Sequence, residues 1–121
     1  MKMVDIGTAI QTMMQMDPNI VAFTVIDANG AITMQSENWN LASDLAGIMN
    51  IWNQGGGSLS IQGISYIALE VIPERIIATN VRGSGHIVVL RIRSGAIIAY
   101  ISPQGDARSA LTAMVETTKG L

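Results

Sequence analysis

Residue types that usually carry chemistry are scarce in this chain. It has no cysteine, a single histidine (His86) and nine acidic residues spread over 121 positions. Without cysteine the chain forms no disulfides and no thiolate metal sites, which fits a reducing cytosol. Ser84 and Ser94, the serines nearest to His86, do not belong to a nucleophile-elbow pattern. We therefore predict a protein that is not an enzyme and has no metal or organic cofactor, with His86 in a structural role.

Long hydrophobic runs and dense basic or aromatic clusters are also missing. No stretch reaches the roughly eighteen apolar residues of a membrane span, and Met1–Asp5 contains no signal-peptide hydrophobic region. Seven basic residues and 4% aromatics are too few for a convincing nucleic-acid groove. We expect a cytoplasmic protein that does not bind nucleic acid.

The charged residues divide unevenly along the chain. The formal net charge is −2, but residues 1–74 hold one basic residue against seven acids, whereas residues 75–121 hold six against two. This asymmetry suggests that the C-terminal half meets an anionic or acid-rich partner. Scatter among so few charges is the alternative explanation.

Length and hydrophobic periodicity predict one domain, 1–121, that begins with a helix. Apolar residues at spacings of three and four mark this first helix over residues 4–16. The same spacing marks a second helix over residues 41–53, with Asn40 or Ser43 as N-cap. The triple glycine 55–57 is expected to end that helix, because no lysine follows it to make a phosphate-binding loop.

A third helix is predicted at the C-terminus. Ser102 is expected to be its N-cap, Pro103 its first residue and Gly120 its terminator. The predicted buried stripe of this helix consists of Ala107, Ala110, Leu111, Met114 and Val115.

Alternating or continuous apolar stretches predict the strands. The candidates are 21–27, 31–36, 58–61, 64–71, 75–81, 86–93 and 96–101. Their short connections imply antiparallel neighbours. Because the candidates 64–71 and 96–101 are apolar on both faces, we expect helices on both sides of the sheet. The predicted class is α+β, an α/β/α sandwich with a central antiparallel sheet of about five to seven strands. The two terminal helices are expected to pack on one face.

The strand predicted at 86–93 has two unlike sides. Side chains alternate across a strand, so His86 and Val88 fall on an apolar side, whereas Arg91 and Arg93 fall on the other. Arg82 stands in the glycine-rich loop just before. We predict that these three arginines belong to one basic surface.

Several short motifs occur in an order that resembles the profilin family, in particular the divergent profilins of archaea that have their own actins. The resemblance covers nearly the whole chain. Its motifs are the hairpin turn Asp27-Ala-Asn-Gly30, the strand end Met34-Gln35-Ser36, the helix segment Gly47-Ile-Met-Asn50, the pair Gly57-Ser-Leu59 and Gly63-Ile-Ser-Tyr66, and the loop Asn80-Val-Arg-Gly-Ser-Gly85.

The resemblance implies a profilin-like fold and binding of actin monomers, which would regulate polymerisation through sequestration or nucleotide exchange. It also implies association with the cytoskeleton and a monomeric state. The actin-binding residues that it implies, carried over by position, are Thr79, Arg82, Arg91, Arg93, Gln104, Gly105, Asp106, Arg108 and Ser109. Charge complementarity with acidic actin would then speed association and make it sensitive to salt.

The chain departs from the family pattern at three places. Ser65 stands where the family usually has a lysine before the motif tyrosine. The terminal helices lack the aromatic residues that wall a groove for polyproline ligands, so we expect weakened or absent polyproline binding. The basic loop keeps only Arg82, so any phosphoinositide binding is expected to be weak.

A different class of protein has a similar layout. Roadblock- or longin-like dimeric platforms for small GTPases also place helices on an antiparallel sheet in a chain of this size. They have fewer strands and form homodimers through the second helix, so strand number and molecular mass in solution separate the two hypotheses.

Overall fold

The computed structural model describes residues 5–119 and 121. Within these residues it contains three helices and seven strands. In chain order they are α1 (Ile6–Met16), β1 (Ile20–Asp27), β2 (Ile32–Gln35), α2 (Leu45–Gln54), β3 (Ser58–Ile61), β4 (Ile64–Ile72), β5 (Arg75–Thr79), β6 (His86–Ile92), β7 (Gly95–Ile101) and α3 (Ala107–Thr118). None of the described helices is long and apolar enough to span a membrane. Residue 4 of the predicted first helix and the predicted terminator Gly120 lie outside the described residues.

The strands form one antiparallel sheet in the order β2-β1-β7-β6-β5-β4-β3. The meander β3 to β7 is joined by short turns, as the breaker residues predict. The hairpin β1–β2 then adds to the free edge of β7, with Phe23 opposite Ala99. The expected antiparallel sheet is confirmed.

Two apolar cores lie on the two faces of this sheet. On one face α1 and α3 pack side by side, with Met13 and Met114 fully buried over Ile97. On the other face α2 covers the sheet, with Ile48 buried near Ile98. Adjacent residues of β7 therefore serve opposite cores, as expected for a strand that is apolar on both faces. The predicted layering, with the terminal helices on one face, is confirmed.

The third helix begins later than its sequence signal suggests. Its N-cap is Asp106, whose carboxylate accepts a hydrogen bond from the Ser109 N–H at 3.1 Å. Ser102, the predicted cap, instead donates its hydroxyl to the Asn19 side-chain oxygen at 2.8 Å. Ser102 is thus engaged by a residue distant in sequence, and the prediction that Ser102 and Pro103 start the helix is wrong. Val115 of the predicted buried stripe is 37% exposed.

The second helix also starts later than predicted, at Leu45. Asn40, one of the two predicted caps, accepts instead from the Ala42 N–H at 3.0 Å. Asp44 occupies the N-cap position without making a side-chain cap, because its carboxylate accepts from the Gln62 N–H at 3.1 Å. Leu41 is nevertheless completely buried. It belongs to the core as predicted, but from the turn before the helix.

Strand β4 departs from the expectation of burial on both faces. Tyr66 is buried beneath α2, where burial raises the pKa of its phenol to about 12 with a smaller contribution from Tyr100. Ile67 and Leu69, by contrast, are 46% and 65% exposed. The helix layer made by α1 and α3 lies over β1, β7 and β6, which leaves these two apolar side chains open to solvent.

Candidate functional site

The side of the sheet that carries α1 and α3 extends beyond the helices as a solvent-accessible surface. Here it is called the open face and consists of Ile67, Leu69, Glu70, Arg75 and Thr79. These residues lie on β4 and β5, and the register places Arg75 opposite Leu90 and Thr79 opposite His86, both on the α1/α3 side. The open face thus combines apolar, ionic and hydroxyl groups on neighbouring strands.

Thr79 is fixed at one end of this face by the only histidine in the sequence. Its hydroxyl lies 2.8 Å from Nδ1 of His86 on the adjacent strand. His86 therefore has a hydrogen-bonded partner, which agrees with the structural role predicted for it.

The start of α3 borders the open face. The Ser109 hydroxyl and N–H both donate to the Asp106 carboxylate and hold its pKa below the ordinary value of 3.8, with a smaller contribution of the same sign from His86. A cleft runs between this helix start and the end of α1, and it is lined in part by Gln104, Gly105 and Asp17. The structure thus brings together four predicted site residues: Gln104, Gly105, Asp106 and Ser109.

Gly105 is required by close packing. A Cβ atom at this position would lie 2.5 Å from Cβ of Asn19 and 2.7 Å from Cγ2 of Ile101. Contacts this short force the neighbouring atoms to shift, so a side chain at position 105 would overpack the passage from β7 to α3. The residue shapes the site through backbone position.

An ion-pair network joins α3 to the sheet. One oxygen of Glu70 on β4 accepts from Arg75 Nε at 2.5 Å, and the other accepts from Arg108 Nη2 at 3.1 Å. These bonds lower the pKa of Glu70 below its ordinary value of 4.5, and the bond with Arg75 makes the larger contribution. Arg108, a predicted site residue, thus reaches from α3 to β4 and stays 61% exposed. Its charge is already partly neutralised by Glu70.

Arg82 lies in the loop between β5, which ends at Thr79, and β6. Asn80 organises this loop, because its side-chain oxygen accepts the N–H groups of Arg82 at 2.8 Å and Ser84 at 3.0 Å. The Asn80 amide also donates to the Ser65 carbonyl of β4 at 2.8 Å. Arg82 lines a groove with Ser65 and Ile67 that adjoins the open face.

Arg91 and Arg93 lie apart from these residues. Arg91 is opposite Ala96, on the α2 side of the sheet. Its Nε donates to the Pro73 carbonyl at 2.8 Å, and its guanidinium carbon stands 4.4 Å from the centre of the Trp52 ring. Arg93 lies in the turn that follows β6. The expectation of one surface shared by Arg82, Arg91 and Arg93 is therefore wrong, because residues 82 and 93 flank opposite ends of β6 and Arg91 faces the other helix layer.

The sequence reasoning overlooked Ile67, Leu69, Glu70 and Arg75. A usable signal existed for Glu70, the only charged residue in the strand candidate 64–71. A carboxylate in an apolar strand needs a cationic partner, and a basic residue at position 75 just across the turn supplies one.

The arrangement as a whole defines a class of protein. An accessible face with paired charges and exposed aliphatic side chains suits the binding of another protein. In the described residues no group of three or more histidine, cysteine or acidic residues is arranged to hold a metal ion.

Comparison with known proteins identifies the family, although no family model matches the chain. Loki profilin-2 of Lokiarchaeum sp. (strain GC14_75) is 37% identical over 122 aligned positions, which cover 93% of this chain and 91% of the relative. Odin profilin of Odinarchaeota yellowstonii (strain LCB_4) is 38% identical over 104 positions, which cover 85% and 86%. The chain belongs to the profilin family.

The solved structures agree with this assignment. LokiProfilin2 in its complex with rabbit actin superposes with a TM-score of 0.85 at 35% identity, over 94% of this chain and 92% of that one. Family membership and the strand count exclude the roadblock- or longin-like alternative. The relatives are profilins, which are not enzymes.

Proposed function

We propose that this protein binds actin monomers and regulates their polymerisation in the cytoplasm, as part of an actin cytoskeleton. The observation that carries the proposal is the similarity, along 94% of the chain, to a profilin whose solved structure is a complex with rabbit actin. A monomeric profilin that holds an actin monomer would lower the free monomer concentration and slow nucleation.

The proposed contact surface is the open face together with the start of α3. It includes the predicted residues Thr79, Arg82, Gln104, Gly105, Asp106, Arg108 and Ser109. This surface is continuous because Arg108 bonds to Glu70 on β4, and because Thr79 pairs with His86, near Asp106. A stable interface needs roughly 800 Å² from each partner. A contiguous set on two strands, one loop and one helix start suits an area of this size.

Arg91 and Arg93 are left out of the proposed surface. Arg91 is occupied by Trp52 and the Pro73 carbonyl on the opposite side of the sheet. A rigid partner seated on the open face would not reach it.

Polymerisation of pyrene-labelled rabbit actin tests the proposal. Saturating wild-type protein is expected to lengthen the lag phase. Arg108→Glu should weaken this effect, because it places a second carboxylate beside Glu70 on the proposed surface. The double variant Arg91→Glu plus Arg93→Glu should act like wild type. If saturating wild-type protein leaves the polymerisation curve unchanged, actin binding is refuted.

Two further ligand classes receive less support. Phosphate groups are often bound by free loop N–H groups, but Asn80 already accepts those of Arg82 and Ser84. We expect weak phosphoinositide binding, to be measured by cosedimentation with vesicles that contain phosphatidylinositol bisphosphate.

The cleft between α1 and α3 is lined by residues such as Met16, Asp17 and Thr112, which offer no flat aromatic wall to a proline-rich ligand. A proline-rich peptide should therefore bind weakly or not at all in isothermal titration.

A further inference from the structure

A β-bulge interrupts the pairing of β4 with β5. Ala68 pairs with Ala78 and Glu70 pairs with Ile77, so Leu69 is an extra residue without a partner across the ladder. A bulge strengthens the local twist, and here it places Glu70, opposite Ile77, on the same side of the sheet as Ile67 and Leu69. Leu69 is 65% exposed in the middle of the strand, next to Glu70 and its ion pairs.

Ile67 continues this apolar surface. It lies opposite Thr79, which places it on the open face, and it is 46% exposed. It also lines the groove that contains Arg82. Two large aliphatic side chains therefore stand exposed on the proposed contact surface, where a partner could exclude water from them.

The charges around these side chains are compensated within the protein. Both carboxylate oxygens of Glu70 are taken up, one by Arg75 and one by Arg108. Arg91 lies on the opposite side of the sheet, and its guanidinium is stacked on Trp52. Of the cations on this surface, Arg75 and Arg108 are thus paired with Glu70 and Arg82 stands outside the pairs, which weakens the case for recognition by net charge.

We propose that apolar burial of Leu69 and Ile67, and not charge attraction, supplies most of the affinity for actin on this face. The ion pairs of Glu70 then hold Arg108, at the start of α3, beside these apolar side chains. This inference rests on the proposed function and adds the type of partner surface: an apolar patch on the actin monomer. It also predicts weak dependence on salt, contrary to the expectation of charge complementarity.

The test compares two matched substitutions. Leu69→Thr removes the apolar side chain but keeps a residue that favours strands. Val21→Thr makes the same kind of change at a 49% exposed position on β1, four strands away from β4 in the sheet. Affinity for rabbit actin monomers is measured by fluorescence anisotropy at low and high salt. Thermal melting checks that each variant is folded, and Ile67→Thr serves as a second variant if Leu69→Thr unfolds.

Leu69→Thr is expected to raise the dissociation constant for actin about 10- to 100-fold. This factor corresponds to the free energy usually gained when a leucine side chain is buried. Val21→Thr should change it less than about twofold, and wild-type affinity should fall less than about fivefold between low and high salt. If Leu69→Thr binds as tightly as Val21→Thr, or if salt abolishes wild-type binding, the inference is overturned while actin binding stands. If wild-type protein does not bind actin at all, the proposed function fails together with the inference.

Discussion

Replacing Gly105 by alanine should destabilise the fold, because the new methyl group has no room. It would lie 2.5 Å from Cβ of Asn19 and 2.7 Å from Cγ2 of Ile101. Ile101 is completely buried. Asn19 is held by two hydrogen bonds to Ser102, each 2.8 Å long. Neither neighbour can move by the roughly 1 Å that an ordinary contact needs, so we expect an overpacking cost of about 1–3 kcal/mol.

The expected shift in melting temperature follows from the size of the chain. At about 2.1 cal/mol/K per residue, unfolding 121 residues has an entropy of about 0.25 kcal/mol/K, so each kcal/mol lowers the midpoint by about 4 °C. Scanning calorimetry should therefore show that Gly105→Ala lowers the melting temperature by about 4–12 °C.

Gly47→Ala provides the matched control for this prediction. Gly47 lies within α2, and a Cβ atom there meets nothing within 4 Å. Alanine is the better helix former, so this variant should gain about 0.5–1 kcal/mol. Equal stability of the two variants would refute the packing argument for Gly105.

Three further predictions concern single side chains. Trp52→Phe removes the indole N–H that donates to the Ile72 carbonyl at 2.7 Å, and should cost about 1 kcal/mol in urea denaturation; an unchanged midpoint would contradict this. Asp106→Ala removes the cap of α3 and should lower the melting temperature by a few degrees. Asp106→Asn should keep most of the stability that the cap provides, because asparagine is also a good N-cap residue. The lowered pKa of Glu70 means that its ion pairs stabilise the fold above the ordinary value of 4.5 and are lost as pH falls through the folded-state pKa. Melting curves between about pH 6 and pH 3 should accordingly fall less steeply for Glu70→Gln than for wild type, and parallel curves would argue against this role.

Local patterns were sufficient for the element order, and long-range contacts explain where they fell short. Alternation along β6 correctly assigned His86 and Arg91 to opposite sides of the strand. The family resemblance then placed Arg91 on the same surface as Thr79, although Thr79 pairs with His86 on the other side. Predicting this separation requires the strand register, which local sequence does not contain.

Two other differences have the same origin. Ser102 has the sequence signature of a helix cap, but it bonds to Asn19, 83 residues away. The bulge at Leu69 breaks the alternation along β4, so that Glu70 lies on the same side of the sheet as Ile67 and Leu69. Alternation places Ile67 and Leu69 on one side of β4, but it does not show that α1 and α3 leave this side uncovered. Glu70 could have been found as a lone charge in an apolar strand.

Amide hydrogen exchange of the protein with and without rabbit actin tests the central claim most directly. The account predicts slower exchange in peptides that cover residues 64–72 and 104–109, where the open face and the start of α3 meet the partner. Peptides that cover residues 50–55 and 91–95, around Trp52 and Arg91, should exchange at the same rate in both samples. Protection confined to this second group, or no protection anywhere at saturating actin, would contradict the proposed contact surface.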